Sequence, residues 1–394
     1  TLDSHGDDLF LKIGRNFGDQ RIQLSVNRFN MAGDGDYKNE PGIVAQGVTT
    51  TSVEGRPPGD PARNKVRSAS LDYRHAALAG GALTVQLFKH DFESLYGATN
   101  TVTFQDTRIA PNNTLFDQSH IVADKLGSRM TYVRPDTLVR GLEVTAGLDF
   151  LKDHTLQRLA ATDRTWVPEL KFESLAPFAQ LEYEIGPVTL RAGVRRENAE
   201  LEVDTYTTLA AYGRRQVQGG SAEFSKSVHN IGAVWRVAPG WSVFAASSEG
   251  FGLPDAGLVL RGVNTNGQSV SNLISLQPIV TRNNEIGLNW RGAQGHVGFS
   301  RYDSRSKLGS VIRIVATGVG VVERVPTVVK GWEANGEWRP AKDWSLFGTY
   351  AVTDGKTAAG QSLVRALAAA GADRIWGEHA EPWKQLPGLA ELAA

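Results

Sequence analysis

The sequence predicts an all-β chain, an antiparallel transmembrane β-barrel, partial, of about 14 strands, with tight turns at one rim and long loops at the other. Three observations carry this: apolar and polar residues alternate with period two, long and short connections alternate in turn, and tryptophans gather at strand ends beside the tight turns.

The alternation is clearest at residues 142–150. There Leu142, Val144, Ala146, Leu148 and Phe150 face one way, and Glu143, Thr145, Gly147 and Asp149 the other. It recurs with Ala179, Leu181, Tyr183 and Ile185 against Gln180, Glu182 and Glu184. The next strand sets Val188, Leu190, Ala192 and Val194 against Thr189, Arg191, Gly193 and Arg195. Ile286, Leu288 and Trp290 oppose Glu285, Gly287 and Asn289; Trp332, Ala334, Gly336 and Trp338 oppose Glu333, Asn335 and Glu337. Every polar face carries charge.

Turns rich in Gly, Pro, Asn or Asp fall at 16–19, 79–81, 134–137, 186–187, 238–240, 292–295 and 340–343. Longer segments fill the alternate gaps at 31–63, 95–125, 152–169, 205–222 and 251–282. A propeller or solenoid would show similar repeats, and none is visible. A soluble sandwich of this length would divide into smaller domains with linkers, also not visible. A barrel in lipid fits the alternation and the unequal connections together. Trp235, Trp241, Trp290, Trp332, Trp338 and Trp344 add indoles at the level where an apolar ring with a polar N–H suits lipid headgroups.

Composition removes several function classes. The 394 residues contain no Cys, which excludes disulfides, thiolate metal sites and cysteine nucleophiles. Lys plus Arg equals Asp plus Glu at 42 each, so no basic field invites nucleic acid. No apolar run approaches the ~20 residues of a membrane helix, and no basic start with an apolar core reads as a secretory leader. The eight His residues include no His-Glu-x-x-His pattern, and neither a nucleophile elbow nor a phosphate loop occurs. Asp34, Asp36 and Glu40 supply oxygen ligands without a full calcium-loop pattern, and read as solvated loop charge. No catalytic residue, metal site or cofactor is expected.

Residues 241–257, WSVFAASSEGFGLPDAG, resemble a strand and loop opening of TonB-dependent outer-membrane receptors. Leu276, Gln277 and Pro278 followed by Asn284, Glu285, Ile286, Gly287 and Leu288 resemble that family's Leu-x-Pro and Glu-Ile-Gly-Leu elements. Val329 to Glu333 resembles its Gly-x-Glu strand start, and residues 344–355, WSLFGTYAVTDG, the strand after it. Residues 258–278, with Arg261, Gly262 and the LISLQP run, lean towards siderophore-receptor members.

The resemblance implies an outer-membrane active-transport receptor of a Gram-negative bacterium. Its partners would be a ferric siderophore or similar small ligand, outer-membrane lipid, and the energy-coupling TonB protein acting through a plug. Family barrels have about 22 strands around a plug, so residues 1–355 read as a partial barrel, a fragment lacking the plug. Residues 356–394 form an atypical Ala- and Leu-rich tail, in part helical by composition. An open sheet is expected, with edges near residues 8–17 and 344–353. In the long loops Tyr206, Tyr212, Arg214 and Arg215 are candidate ligand-binding residues, because guanidinium groups pair with anionic chelates and aromatic rings stack on their organic parts. The alternatives are a passive diffusion channel, a TonB-dependent receptor for a non-siderophore ligand, and a surface protein that binds partners through its loops.

Overall fold

Period-two residues can satisfy their backbone only against neighbouring strands, and this chain pairs each with the next. The structure, a computed structural model, describes residues 3–34, 37–41, 50–55, 58–273, 277–314 and 320–357. The strands are β1 (Asp3–Phe17), β2 (Gln20–Asp34), β3 (Tyr37–Pro41), β4 (Thr50–Glu54), β5 (Ala62–Leu78), β6 (Gly81–Leu95), β7 (Ser119–Arg134), β8 (Leu142–Leu159) and β9 (Arg164–Ile185). They continue as β10 (Val188–Val203), β11 (Tyr206–Thr207), β12 (Gln216–Val217), β13 (Gly220–Ala238), β14 (Trp241–Gly252), β15 (Ile279–Gly292), β16 (Gly295–Ile314), β17 (Gly320–Ala341) and β18 (Trp344–Thr357). One short helix, α1 (Ala256–Arg261), lies between β14 and β15.

Fourteen strands form one sheet in the order β1-β2-β5-β6-β7-β8-β9-β10-β13-β14-β15-β16-β17-β18, while β3–β4 and β11–β12 are separate two-stranded ribbons within loops. All pairings in the large sheet are antiparallel between consecutive wall strands, so short and long connections lie at opposite rims. β1 and β18 are its two edges, and no pairing joins them among the described residues. Most turns at the short rim need only two residues, as at 18–19, 79–80, 186–187 and 342–343. Gly240 shows why glycine belongs in one of them: its φ is +76°, and a Cβ there would collide with the Arg291 carbonyl.

Cross-strand register sorts the side chains. Ile22, Tyr73, Val85, Met130, Leu148 and Pro177 line up across six strands, and the adjacent row is Gln23, Asp72, Gln86, Arg129, Asp149 and Ala176. Large apolar side chains on the first face stay open to solvent: Leu9 is 64% exposed, Ile231 64% and Ile286 56%. An extended exposed apolar face of this kind needs lipid or a partner against it.

The polar face is cross-linked instead. Gln86 Nε2 donates to Asp72 Oδ1 at 2.8 Å; Arg129 Nε and Arg195 Nη1 both donate to Asp149, at 2.9 and 2.6 Å. Arg191 pairs with Glu182, and Lys125 with Asp153 at 2.9 Å. The expected faces therefore stand, with Leu142, Val144, Leu148 and Phe150 on one side and Glu143 and Asp149 on the other.

The polar face also carries a recurring packing device. Phe88 is paired directly with Gly127, Phe178 with Gly147, Phe244 with Gly287 and Tyr302 with Gly331. In each pair the ring lies over the glycine, where a Cβ would collide with it. A strand glycine here is a seat for a neighbour's ring rather than a weakness.

Several boundaries differ from the sequence expectation, most of them through longer strands. Residues 152–169 are not a loop: β8 runs on to Leu159 and β9 starts at Arg164. Glu285 and Gly331 lie within strands rather than at their starts, and Trp332 is mid-wall, paired with Arg301 and Val352, instead of beside a turn. The 134–137 turn spans 135–141. Where both faces of a strand meet water, alternation stops being required while the backbone ladder continues, so the sequence pattern ends before the strand does. Asp36, Leu276 and the tail from residue 358 lie outside the described residues, as do the side chains of Asp34 and Glu40.

Candidate functional site

The long connections fold inward rather than trailing off the rim. Leu201, Val203, Phe172 and Phe224 share the polar-face parity of their strands and are joined by Tyr206, Val217, Val259, Leu260 and Val270 from the loops. A second cluster unites Phe104, Leu159, Leu209 and Tyr212, with Trp166 packed against it. The Phe104 and Trp166 rings meet edge to face, with centroids 4.9 Å apart. The loops thus possess small cores of their own, set against the wall.

Polar staples fix them further. Gln105 Nε2 donates to the carbonyls of Asn100 and Leu115 at 2.8 and 2.9 Å, and Gln118 Nε2 to those of Asp60 and Tyr96 at 2.8 and 2.9 Å. Asp117 has a fully buried side chain. It accepts from the amides of Gln118 and Ala161, each at 2.8 Å, from Thr162 Oγ1 at 2.5 Å and from Arg164 Nη2 at 3.3 Å. A buried carboxylate with four donors is satisfied. Asp106 accepts from Arg108 Nε at 3.0 Å and Nη2 at 2.7 Å, and Arg214 Nη1 stands 3.6 Å away. The Arg108 guanidinium, above all, holds the Asp106 carboxyl down at about 2.

Of the four residues singled out in sequence, Tyr206 and Tyr212 are buried, one in each loop core. The Tyr206 hydroxyl donates to the Leu260 carbonyl at 2.7 Å, and burial pushes its pKa up. Arg214, with φ +53°, extends towards Asp106. Arg215 reaches the other way, donating Nε to the Asn264 carbonyl and Nη1 to Asn266 Oδ1, both at 3.0 Å. The structure therefore brings Tyr212 and Arg214 to the segment 96–118, and Tyr206 and Arg215 to the segment 253–273.

Nothing in the sequence marks Arg164 and Trp166, which lie in the motif-free stretch 152–169. Arg261 was visible only as part of a family-like stretch. Its guanidinium carbon stands 4.5 Å from the Trp166 ring centroid. Among the described residues no group of three or more His, Asp or Glu side chains could hold a metal ion.

Residues 6–386 match the family described as TonB dependent receptor-like, beta-barrel. The chain belongs to the TonB-dependent receptor β-barrel family. Solved structures agree on the fold. The copper transporter OprC is 15% identical with a TM-score of 0.69, the match covering 92% of this chain and 56% of that one. The siderophore receptor PiuA from Acinetobacter baumannii is 11% identical with a TM-score of 0.65, over 92% and 59%. The ferripyoverdine receptor of the outer membrane of Pseudomonas aeruginosa, bound to ferripyoverdine, is 11% identical with a TM-score of 0.66, over 92% and 50%. The chain spans about half the length of these solved relatives.

Proposed function

We propose that this chain forms wall and mouth of an outer-membrane receptor that takes up a scarce chelated metal, a ferric siderophore in the first instance, with the energy delivered by TonB through a plug. The reading is of a transporter rather than an enzyme, in the outer membrane of a Gram-negative cell. The observation that carries it is the division of the wall: an apolar outward face, a cross-linked polar inward face, and long connections folded into ordered, charged structures over the inward side.

The four loop residues divide their work in this reading. Arg214 and Arg215 present guanidinium groups at the mouth, and Tyr206 and Tyr212 hold the loops that carry them. A second reading has one specific support, the likeness to a copper transporter: the same mouth could serve a metal carried without a siderophore.

Uptake decides among these. Gram-negative cells lacking their own iron receptors and producing the protein should accumulate a radiolabelled ferric siderophore, and deleting TonB should abolish it. Accumulation of copper alone would favour the second reading. Flux of small sugars that persists without TonB would replace both with a diffusion channel.

A further inference from the structure

On the outward face, the apolar runs of β16 and β17 end on one small group of exposed side chains. The Phe299 and Trp332 rings lie together with centroids 5.4 Å apart, and the Arg301 guanidinium carbon stands 4.8 Å from the Trp332 ring centroid. Arg301 is directly paired with Trp332 on one side and with Ile286 of β15 on the other. No carboxylate answers it. Among the described residues Arg301 makes no hydrogen bond or ion pair, and the indole is what it rests on. From Trp332 to the end of β17 at Ala341 the strand rises about 30 Å, or about 23 Å once tilted by 35–45°. The group therefore sits at the loop-side edge of the apolar band.

Just beyond it, Lys330 and Arg305 share a carboxylate. Asp303 accepts from Arg305 Nε at 2.5 Å and from Nη2 at 2.9 Å, and Lys330 Nζ lies 3.2 Å from it. The neighbouring cations are engaged, Arg282 by Glu249 at 2.7 Å and Lys356 by Asp354 at 3.5 Å; Asp354 also stands opposite Lys330 in the ladder. Arg301, Arg305 and Lys330 thus have Asp303 as the one carboxylate paired with them among the described residues. The loop-side half of β9, β10 and β13 is the reverse, with Glu169, Glu173, Glu200, Glu202 and Glu223 set outward against Lys171 and Arg196. Outward charge is therefore acidic around β10 and basic around β16.

Free charge directly above exposed rings suits a molecule that is anionic at one end and apolar at the other. A free inorganic anion would use the cations and leave the rings idle, and an uncharged lipid would do the opposite. We propose that this patch docks a phosphate-bearing lipid of the outer leaflet, its phosphate on Arg301 and Lys330 and an acyl chain across Phe299 and Trp332. The reach is short: Arg301 and Lys330 are diagonal neighbours on one face of an antiparallel pair, with backbones about 7–8 Å apart, and both side chains are long. A guanidinium fork matches phosphate oxygens in pairs, and a lysine adds a point charge beside it. The site also accounts for Trp332, which stands far from the turns because a bilayer has two headgroup levels and this indole lies at the second. The proposal rests on the outer-membrane reading and is independent of the cargo.

The test is a titration of the purified, detergent-solubilised protein with diphosphoryl lipid A, an acylated and phosphorylated disaccharide, with bound lipid counted by native mass spectrometry. Arg301→Gln and Lys330→Gln should each weaken binding about fivefold, the worth of one cation at an anionic lipid surface, and together by roughly tenfold or more. Arg301→Lys should keep part of the affinity, and Trp332→Leu, which stays apolar but removes the π-face, should lose part of it. Lys171→Gln, in the acidic sector, should leave binding unchanged. Lipid A stripped of its phosphates should bind far more weakly, and inorganic phosphate at equal concentration should not displace the intact lipid. Equal binding of the stripped lipid, displacement by inorganic phosphate, or Arg301→Gln protein within about twofold of wild type overturns the proposal. If Arg301→Gln protein loses its β-sheet circular dichroism, Lys330→Gln and Arg301→Lys decide in its place. Lipid bound through Arg301 by a protein whose cells import no chelated metal would sink the receptor and keep the site. Import by a protein whose lipid binding ignores Arg301 and Lys330 would do the reverse.

Discussion

The turn-side and loop-side halves of the wall share one continuous ladder of hydrogen bonds, yet their outward faces are opposites. On β9 the turn-side half presents Leu175, Pro177, Ala179, Leu181, Tyr183 and Ile185, and the loop-side half Glu169, Lys171 and Glu173. The apolar run from 175 to 185 rises about 33 Å along the strand, or about 25 Å once tilted by 35–45°, which is the height of an outer-membrane apolar band. Above it the outward charges pair with each other. Lys152 meets Glu173 at 2.5 Å, Lys89 meets Asp124 at 3.3 Å, and Arg282 meets Glu249 at 2.7 Å. One backbone pattern thus serves two solvents, and the side chains change where the solvent changes.

The largest expected effect comes from putting a charge into the apolar half. Leu181→Arg should cost about 2–4 kcal/mol in lipid vesicles, measured by reversible urea unfolding. A change of less than about 0.5 kcal/mol would mean that this face does not meet hydrocarbon. Next is Gly147→Val, on the opposite face, where the new side chain would meet the Phe178 ring. Overpacking there should cost about 1–3 kcal/mol, and Phe178→Leu in the same chain should recover the part due to the ring, while the Met130 carbonyl, 2.5 Å from a Cβ at 147, keeps the rest. Failure of that rescue would leave the ring-over-glycine seat without energetic meaning.

A smaller effect of opposite sign is expected in the loop-side half. Glu173, Glu200 and Glu223 stand directly opposite one another on three neighbouring strands, exposed on the outward face. Like charges so placed repel, so Glu223→Lys should stabilise by about 0.2–1 kcal/mol, fading in high salt. A positive charge would then harm one half of this face and help the other; harm at both would erase the distinction.

The last effect is local to the loops. The Asp106 carboxyl is held at about 2, below its ordinary 3.8. A depressed carboxylate contributes stability that is complete above the unfolded value and lost as pH falls through the folded one. Protease cutting within 96–118 should therefore rise between about pH 4 and pH 2, while wall strands stay protected. Asp106→Asn should show raised cutting already at pH 7. An unchanged profile in that variant would remove the carboxylate from the account.

Much of this protein was legible because a wall between lipid and water must alternate. The runs at 142–150, 179–185 and 188–194 announced their faces, and glycine- and proline-rich turns announced the rim, since each is a local response to a local demand. The edge strands also fell where the pattern starts and fades. Wherever the demand was not local, the pattern misled. The extensions of β8 and β9 through 152–169 carry charge on their outward face and lost the periodic signature. Tyr206 and Tyr212 looked like free loop aromatics because a loop core is assembled from segments far apart in the chain.

The same holds for Arg261 against Trp166, and for Phe178 over Gly147. No spacing in one dimension states that residue 261 will stack on residue 166. Sequence by itself determined which side of each strand is apolar and which rim is tight, because solvent acts on residues one at a time. Tertiary structure alone decided how high the strands rise, which loop residues are core, and which cations are left without a carboxylate. Those outcomes depend on what is packed against a residue, and that neighbour is chosen by the fold.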